Sequence, residues 1–158
     1  MNHKRKKADK YFAAHGINPN TPNNDGISNV LDLTPKVSFH KDSDGVTTYP
    51  CTISVQGYLF YSHVDVIFTD SAGNTYEFEG SAGGIGVGDI EAEGIIYFGN
   101  EETLLKATTF GEAFIAEDGG TLQVTWGTSG NATAVGVGEG LGAFGGSGSW
   151  KKYKLCHI

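Results

Sequence analysis

The sequence predicts an all-β protein, a small closed barrel of about eight strands with one short helix. Two observations favour β-structure: 24 of the 158 residues are glycine, and Thr, Val, Ile, Phe and Tyr are abundant among the rest. A third is that short segments with strand-like patterning follow one another, separated by turn signals, from residue 36 onward. A closed barrel suits this number of strands because it removes the exposed edges.

Residues 1–35 differ from the rest and are predicted to be a mobile or partly ordered leader, ahead of a barrel domain at 36–155. The segment DKYFAAHG, 9–16, predicts a short helix, whereas NPNTPNNDG, 18–26, is rich in turn formers. Such a segment buries too little apolar surface to order itself. We therefore expect residues 1 to about 30 to be dispensable for folding.

Alternation predicts which side chains fill the barrel. The first predicted strands are KVSFH, GVTTYPCTISV and GYLFYSHVDVIFT, and a turn at DSAGN precedes TYEFEGSA. In the third strand His63 and Asp65 fall on the face opposite the rings of Phe60 and Phe68. The predicted inward residues are Tyr58, Phe60, Phe68, Ile96, Phe98 and Phe114.

Two segments, 84–88 and 136–142, place glycine at every second position. Each predicted strand therefore has one bare face, because side chains of a strand alternate between its two sides. Glycine there lets a small barrel bend sharply without side-chain collisions. The sequence leaves open whether the bare faces point inward or outward.

One segment, NEETLLKATT, breaks the β-pattern and predicts the short helix. Asn100 is a good N-cap, glutamates suit the first turn, and Leu104 with Leu105 supplies an apolar side. The strand DIEAEGIIYF precedes it, and three strands follow, in TFGEAFIAE, TLQVTWG and ATAVGVGEGLGAF.

Charge is distributed very unevenly. Residues 42–150 contain 15 acids and a single cation, Lys106, which gives a net charge of −14. An acidic body of this kind repels phosphates, so we expect no nucleic-acid partner. The remaining lysines and the arginine lie toward the two ends, where they are either solvated tails or contacts to an anionic surface.

Compartment signals are weak. No run of 18 apolar residues is present, so no membrane-spanning helix is predicted. The basic N-terminus is not followed by the apolar segment of a secretion signal. Cys51 and Cys156 are too few for a disulfide framework and are expected to be free thiols, although a pair is left open.

The motifs that suggest chemistry are individually weak. Gly140, Gly142 and Gly145 satisfy GxGxxG, but no helix is predicted after them, as a pyrophosphate site requires. His63 and Asp65 could act as base and orienter, yet no nucleophile motif or metal-ligand spacing accompanies them. We therefore predict an outward polar pair, with no catalytic, metal-binding or cofactor-binding residues.

Other polar motifs have simpler structural explanations. The acids Asp89, Glu91 and Glu93 are typical of a solvated strand face, and 42–45, DSDG, of a turn rather than a calcium loop. Asn131 begins an N-x-T sequon in a predicted turn. The two tryptophans, Trp126 and Trp150, are predicted to lie in the core, although an exposed Trp150 beside lysines would suit a membrane interface.

A longer succession carries a family resemblance. GSAGGIGV, GIIYF with the helical ETLLKAT, TFGEAFIAEDGGTLQVTWG and the closing AVGVGEGLGAFGGSGSW resemble the virulence-associated (Vap) proteins of Rhodococcus over roughly residues 49–150. The resemblance implies a compact eight-stranded antiparallel Greek-key barrel without known enzymatic activity. It also implies a role in bacterial survival inside host phagocytes through alteration of the phagolysosome.

The resemblance leads to a functional expectation. We expect a non-enzymatic, secreted effector barrel, monomeric and without cofactor, that acts on a host phagosomal membrane lipid or a host protein. Members of that family are exported through an N-terminal signal, and the start MNHKRKKADK departs from this pattern, so a cytoplasmic location stays open. Two other functions also stay open: a lipocalin-like carrier with a ligand inside the barrel, and an enzyme centred on His63 and Asp65.

Overall fold

The chain folds as an antiparallel β-barrel in a computed structural model that describes residues 3–21, 46–115 and 120–153. Its elements are α1 (His3–Ala14), β1 (Thr47–Thr69), β2 (Thr75–Phe98), α2 (Glu101–Leu105), β3 (Thr109–Ile115), β4 (Thr121–Trp126) and β5 (Gly130–Tyr153). The predicted all-β class and the short helix between strands are confirmed.

The strands are fewer and longer than the sequence predicted. Five strands form one sheet in the order β1-β2-β5-β3-β4, and β5 also pairs with β4. Eight separate strands were too many for the described residues, because β1, β2 and β5 continue for 23 or 24 residues through bends where breaks were expected. Each of the three thereby forms two sides of the barrel. The strand predicted at 36–40 and the domain boundary at residue 35 lie outside the described residues, and the Greek-key order stays a prediction.

The glycine runs coincide with bends in β2 and β5. Gly86 lies opposite Gly142 in the paired strands, and here the bare faces turn inward, since the alternating Val87 and Leu141 are 50% and 56% exposed, whereas Gly138 is itself exposed. A Cβ atom on Gly86 would collide with the Cα atom of Gly142. Glycine is therefore required because the two backbones approach closely.

An irregularity in β1 exchanges its two faces. The register with β2 shifts between Leu59 and Tyr61, and Leu59 has a φ of 82°. The inward residues are Cys51, Ile53 and Val55 before the shift and Ser62, Val64, Val66 and Phe68 after it. Tyr58 was predicted to point inward, but it lies half-buried on the outer face, and Phe60 is also only half-buried. The Tyr58 prediction failed because the alternation inverts along the strand, and Phe60 lies at the irregularity itself, between the paired residues Leu59 and Tyr61.

Aromatic rings fill the interior. The Phe78 ring centroid lies 5.2 Å from that of Phe110 and 5.4 Å from those of Trp126 and Trp150, so both tryptophans are core residues as predicted. The other predicted inward residues, all at most 2% exposed, are Phe68, Ile96, Phe98 and Phe114.

The cap of α2 follows the sequence prediction. The backbone N–H of Thr103 donates to Asn100 Oδ1 over 3.0 Å, and Leu104 is buried against the barrel. Cys51 is a buried free thiol whose pKa is raised to about 12 by burial, and Cys156 lies outside the described residues.

Candidate functional site

Helix α1 lies against the outer face of β1. It is longer than the predicted helix at 9–16 and begins at His3. Ala8 and Phe12 are buried, and the Phe12 ring centroid lies 5.1 Å from the Tyr58 ring and 6.4 Å from the His63 ring. The first 14 residues of the predicted leader therefore include a helix packed on the barrel.

Beneath α1, one ammonium group joins two carboxyl groups. Lys7 Nζ contacts Asp65 Oδ2 and lies 2.8 Å from Glu77 Oε2. Burial raises the pKa of Asp65 to about 7, and a hydrogen bond with Glu77 adds to the rise while Lys7 opposes it. Burial alone would raise the pKa of Glu77, but hydrogen bonds from Asp65 and Lys7 lower it. Of the two carboxyl groups, Asp65 therefore holds a proton more readily than Glu77.

A second set of contacts fixes the beginning of α1. Arg5 pairs with Asp89, donates to the carbonyl oxygen of Gly57 over 3.3 Å, and lies 4.2 Å above the Tyr58 ring. The Tyr58 hydroxyl donates to Asp9 over 2.6 Å. Asp89, predicted to be simply solvated, is thus an anchor for the helix.

His63 is almost fully enclosed, with 1% of its surface exposed. Its Nε2 atom lies 2.8 Å from Glu79 Oε2, and its ring centroid lies 5.1 Å from that of Tyr11. Burial lowers the pKa of His63 more than Glu79 raises it. The imidazole is therefore neutral at pH 7, and the aromatic side chains of α1 pack against its ring.

His63 and Asp65 do share the outer face of β1, as predicted, but α1 covers them. Each has its own partner, Glu79 for His63 and Lys7 for Asp65. Across the described ranges, no three His, Cys, Asp or Glu side chains are placed to hold a metal ion. The ion pairs of this cluster hold the basic helix α1 against acidic side chains on the outer face of the sheet.

The remaining acids border a shallow cleft. Glu91 and Glu93 are exposed, and with Asp65 they line a space of about 400 Å³ beside β1.

The predicted turn at 42–45 lies outside the described residues.

The glycine and sequon motifs lie within β5. Gly140, Gly142 and Gly145 all belong to this strand, so the GxGxxG spacing does not open a helix. Asn131 is 7% exposed and pairs with Tyr97 of β2. The sequon was predicted in a turn, but a buried strand position offers no accessible acceptor.

Sequence reasoning missed Glu112. This residue of β3 is fully buried, and its Oε1 atom accepts a hydrogen bond from the Ser62 hydroxyl of β1. Phe110 and Phe114 flank it at alternate positions. Alternation in TFGEAFI was therefore the signal that would have placed Glu112 inside the barrel.

Large apolar side chains are exposed around the bends. Val87, Leu141 and Ile115 lie side by side on β2, β5 and β3, and are 50%, 56% and 60% exposed. Leu141 and Ile115, together with Val135, line a groove of about 860 Å³, here called the apolar groove. Its other main walls are Ile95, Tyr97, Ala113, Gln123, Thr133 and Ala143. Exposed apolar surface of this kind is typical of an interaction site.

No helix among the residues described here is long and apolar enough to cross a membrane. Together, the fold and these surfaces define a small aromatic-cored β-barrel with an N-terminal helical cover and an open apolar groove.

Two solved structures with a similar fold come from the same bacterium. The chain is similar to the virulence-associated protein VapD of the intracellular pathogen Rhodococcus equi, with a TM-score of 0.54 and 20% identity over 68% of this chain and 99% of that one. It is also similar to VapB of the same organism, with a TM-score of 0.52 and 23% identity over 67% and 97% of the two chains. No protein-family model and no curated protein matches the sequence. The chain therefore has a Vap-like fold, in agreement with the predicted resemblance.

The matched share has the length of the barrel alone. Sixty-eight per cent of 158 residues is about 107 residues, which is also the length of Thr47–Tyr153. Helix α1 therefore has to be understood from its own contacts in this chain.

Proposed function

We propose that this protein is a non-enzymatic, exported, virulence-associated barrel that acts at a host phagosomal membrane or on a host protein. The fold of VapD and VapB supports the class, and both are described as virulence-associated proteins of an intracellular pathogen. The observation that supports the proposal most strongly is the apolar groove. Its exposed apolar side chains, such as Leu141 and Ile115, do not help to pack the core, and such surfaces are typical of binding sites.

Binding at the outer surface is favoured over binding inside. A carrier needs interior space, and the centre of this barrel is occupied by edge-on rings of residues such as Phe78, Phe110 and Trp126. An enzyme needs a reacting group beside a base, and His63 is instead enclosed by Glu79 and α1.

The groove is tested with vesicles of phosphatidylcholine and phosphatidylserine. Leu141→Ser removes apolar surface from the groove. The control is Tyr153→Ser, because Tyr153 is 45% exposed on the same strand but pairs with Thr75 at the start of β2, whereas Leu141 pairs with Val87. We expect co-sedimentation of the monomeric protein to fall severalfold for Leu141→Ser and to stay unchanged for Tyr153→Ser.

The membrane and protein targets are distinguishable. If the wild type does not bind vesicles, yet Leu141→Ser still impairs intracellular survival of the producing bacterium, the target is a host protein. If Leu141→Ser impairs neither, the groove has no role in function. Detection of the protein in culture supernatant tests export, and its retention in the cytoplasm would contradict the proposal.

A further inference from the structure

Glu112 is an ionisable side chain in an apolar interior. It lies on β3 between Phe110 and Phe114, and all three side chains are buried, with Glu112 at 0% exposure. Its partners in register are Val124 of β4 and Phe144 of β5, which are also buried. The strands packed around Glu112 therefore surround it with hydrocarbon.

One polar group reaches Glu112 from the far side of the barrel. The Ser62 hydroxyl of β1 donates to Glu112 Oε1, although β1 and β3 are not neighbours in the sheet. Ala82 of β2 lies opposite Ser62 in register and adds no charge. Oε2 has no hydrogen-bond partner, and within the described residues no cation is paired with this carboxyl group.

An ionised carboxylate is costly in such surroundings. A buried charge without a counter-ion loses its hydration, so the group keeps its proton instead. Burial raises the pKa of Glu112 to about 7, and the hydrogen bond from Ser62 is the one opposing influence.

We propose that Glu112 and Ser62 form an acid-closed latch across the barrel interior, which ties β3 to β1 while the carboxyl group is protonated and opens when it ionises. As a neutral acid, Glu112 fits the apolar interior and shares a hydrogen bond with Ser62. As a carboxylate it accepts a stronger hydrogen bond from Ser62, but the cost of burying the charge exceeds this gain, so water enters. The elements that give way are β3 and β4, because they are the two shortest strands, of seven and six residues. This inference does not depend on the proposed function.

The direction of the pH effect follows from proton linkage. Between the ordinary pKa of 4.5 and the folded value of about 7, the folded protein holds a proton that the unfolded chain releases. The contribution of Glu112 to stability therefore falls as pH rises through this interval and is constant on either side of it. We expect the unfolding equilibrium constant to rise on the order of 100-fold from this group between pH 5 and pH 8.5.

The test is urea unfolding of the full chain at both pH values, with Glu112→Gln and the control Glu91→Gln. Glutamine keeps the shape and the hydrogen bond without a charge, and Glu91 is an exposed carboxylate on β2. His63 and Asp65 beneath α1 also titrate, but they are unchanged in all three proteins. Because Asp65 titrates in the same interval, we expect Glu112→Gln to remove only the share of the pH dependence that belongs to Glu112, on the order of 100-fold in the unfolding equilibrium constant, and Glu91→Gln to remove none. Equal pH dependence in all three would overturn the latch.

Two further measurements keep the proposal falsifiable if Glu112→Gln does not fold. Carbon-13 NMR of labelled glutamates in the wild type should show one carboxyl group with a midpoint near pH 7, which moves upward in Ser62→Ala. Midpoints all near 4 to 5 would contradict the proposal. Hydrogen exchange, corrected for intrinsic rates, should accelerate at pH 8.5 in β3 and β4 before β2. Uniform acceleration over all strands would show a loss of stability without a latch.

Discussion

At the scale of single residues, Lys7 lowers the pKa of the two carboxyl groups that it contacts, Asp65 and Glu77. Its ammonium group lies between Asp65, which is 3% exposed, and Glu77. Burial lowers the pKa of Lys7, but hydrogen bonds to the two carboxyl groups more than reverse this. The lysine therefore stays charged and makes a second carboxylate tolerable beneath the helix.

Replacing Lys7 by Met should make the docking of α1 depend on pH. At pH 5 Asp65 is protonated and can donate to Glu77, whereas at pH 8 two carboxylates face each other without a cation. We expect faster cleavage within α1 by a protease at pH 8 than at pH 5, relative to the wild type at each pH. Lys10→Met, at an exposed position of α1, is the control. Equal relative cleavage at the two pH values would contradict the role of Lys7.

Gly140 is required both by its backbone conformation and by a close backbone contact. Its φ is +114°, and a Cβ atom would collide with the carbonyl oxygen of Val87. Gly140→Val should therefore destabilise the protein by about 3 kcal/mol, since overpacking and backbone strain both oppose it. Thr133→Val, at an exposed position of the same strand, is the control. An unchanged melting temperature for Gly140→Val would show that the bend can accommodate a side chain.

At the scale of elements, α1 covers part of the outer face of β1 and buries side chains there. Phe12 and Tyr11 cover His63, so a histidine on an outer strand face becomes buried and neutral. The expectation that residues 1 to about 30 are dispensable for folding is still a prediction. Their removal would, however, expose a polar cluster to water.

Loosening α1 should be visible in the titration of His63. In Phe12→Ala the helix loses its main apolar contact, and water reaches the imidazole, so the pKa of His63 should rise toward its ordinary value of 6.5. Proton NMR of the histidine ring measures this midpoint directly. Lys10→Ala should leave it unchanged. If Phe12→Ala also left it unchanged, α1 would not be the source of the burial.

At the scale of the whole molecule, acidic residues of the barrel neutralise part of the positive charge of the N-terminal segment. Arg5 and Lys7 are engaged with Asp89, Asp65 and Glu77, whereas Lys6 and Lys10 of α1 are exposed. Fewer cations than the composition suggests are therefore available for an anionic partner.

Any binding to phosphatidylserine vesicles should depend on those exposed lysines and on salt. The double variant Lys6→Gln with Lys10→Gln should lose about 1 kcal/mol of binding energy for each lysine at low ionic strength. Lys106→Gln removes an exposed cation elsewhere and is the control. Undiminished binding by the double variant, or binding that persists in high salt, would exclude the electrostatic explanation.

The sequence by itself determined the features that rest on local patterns. Alternation placed Phe68, Ile96, Phe98 and Phe114 inside, and the cap at Asn100 marked α2. These predictions succeeded because strand alternation and helix capping depend on residues a few positions apart. The family resemblance likewise rested on the order of such segments.

Only the tertiary structure decided which face of each bent strand is covered, and by what. The shift at Leu59 moved Tyr58 to the outer face, the glycines of the pair Gly86–Gly142 turned inward, and α1 enclosed His63 and Asp65. The contact of Ser62 with Glu112 joins residues 50 positions apart. Burial, and with it the pKa of a side chain, is set by whatever packs against it in space, and no pattern within a single strand contains that information.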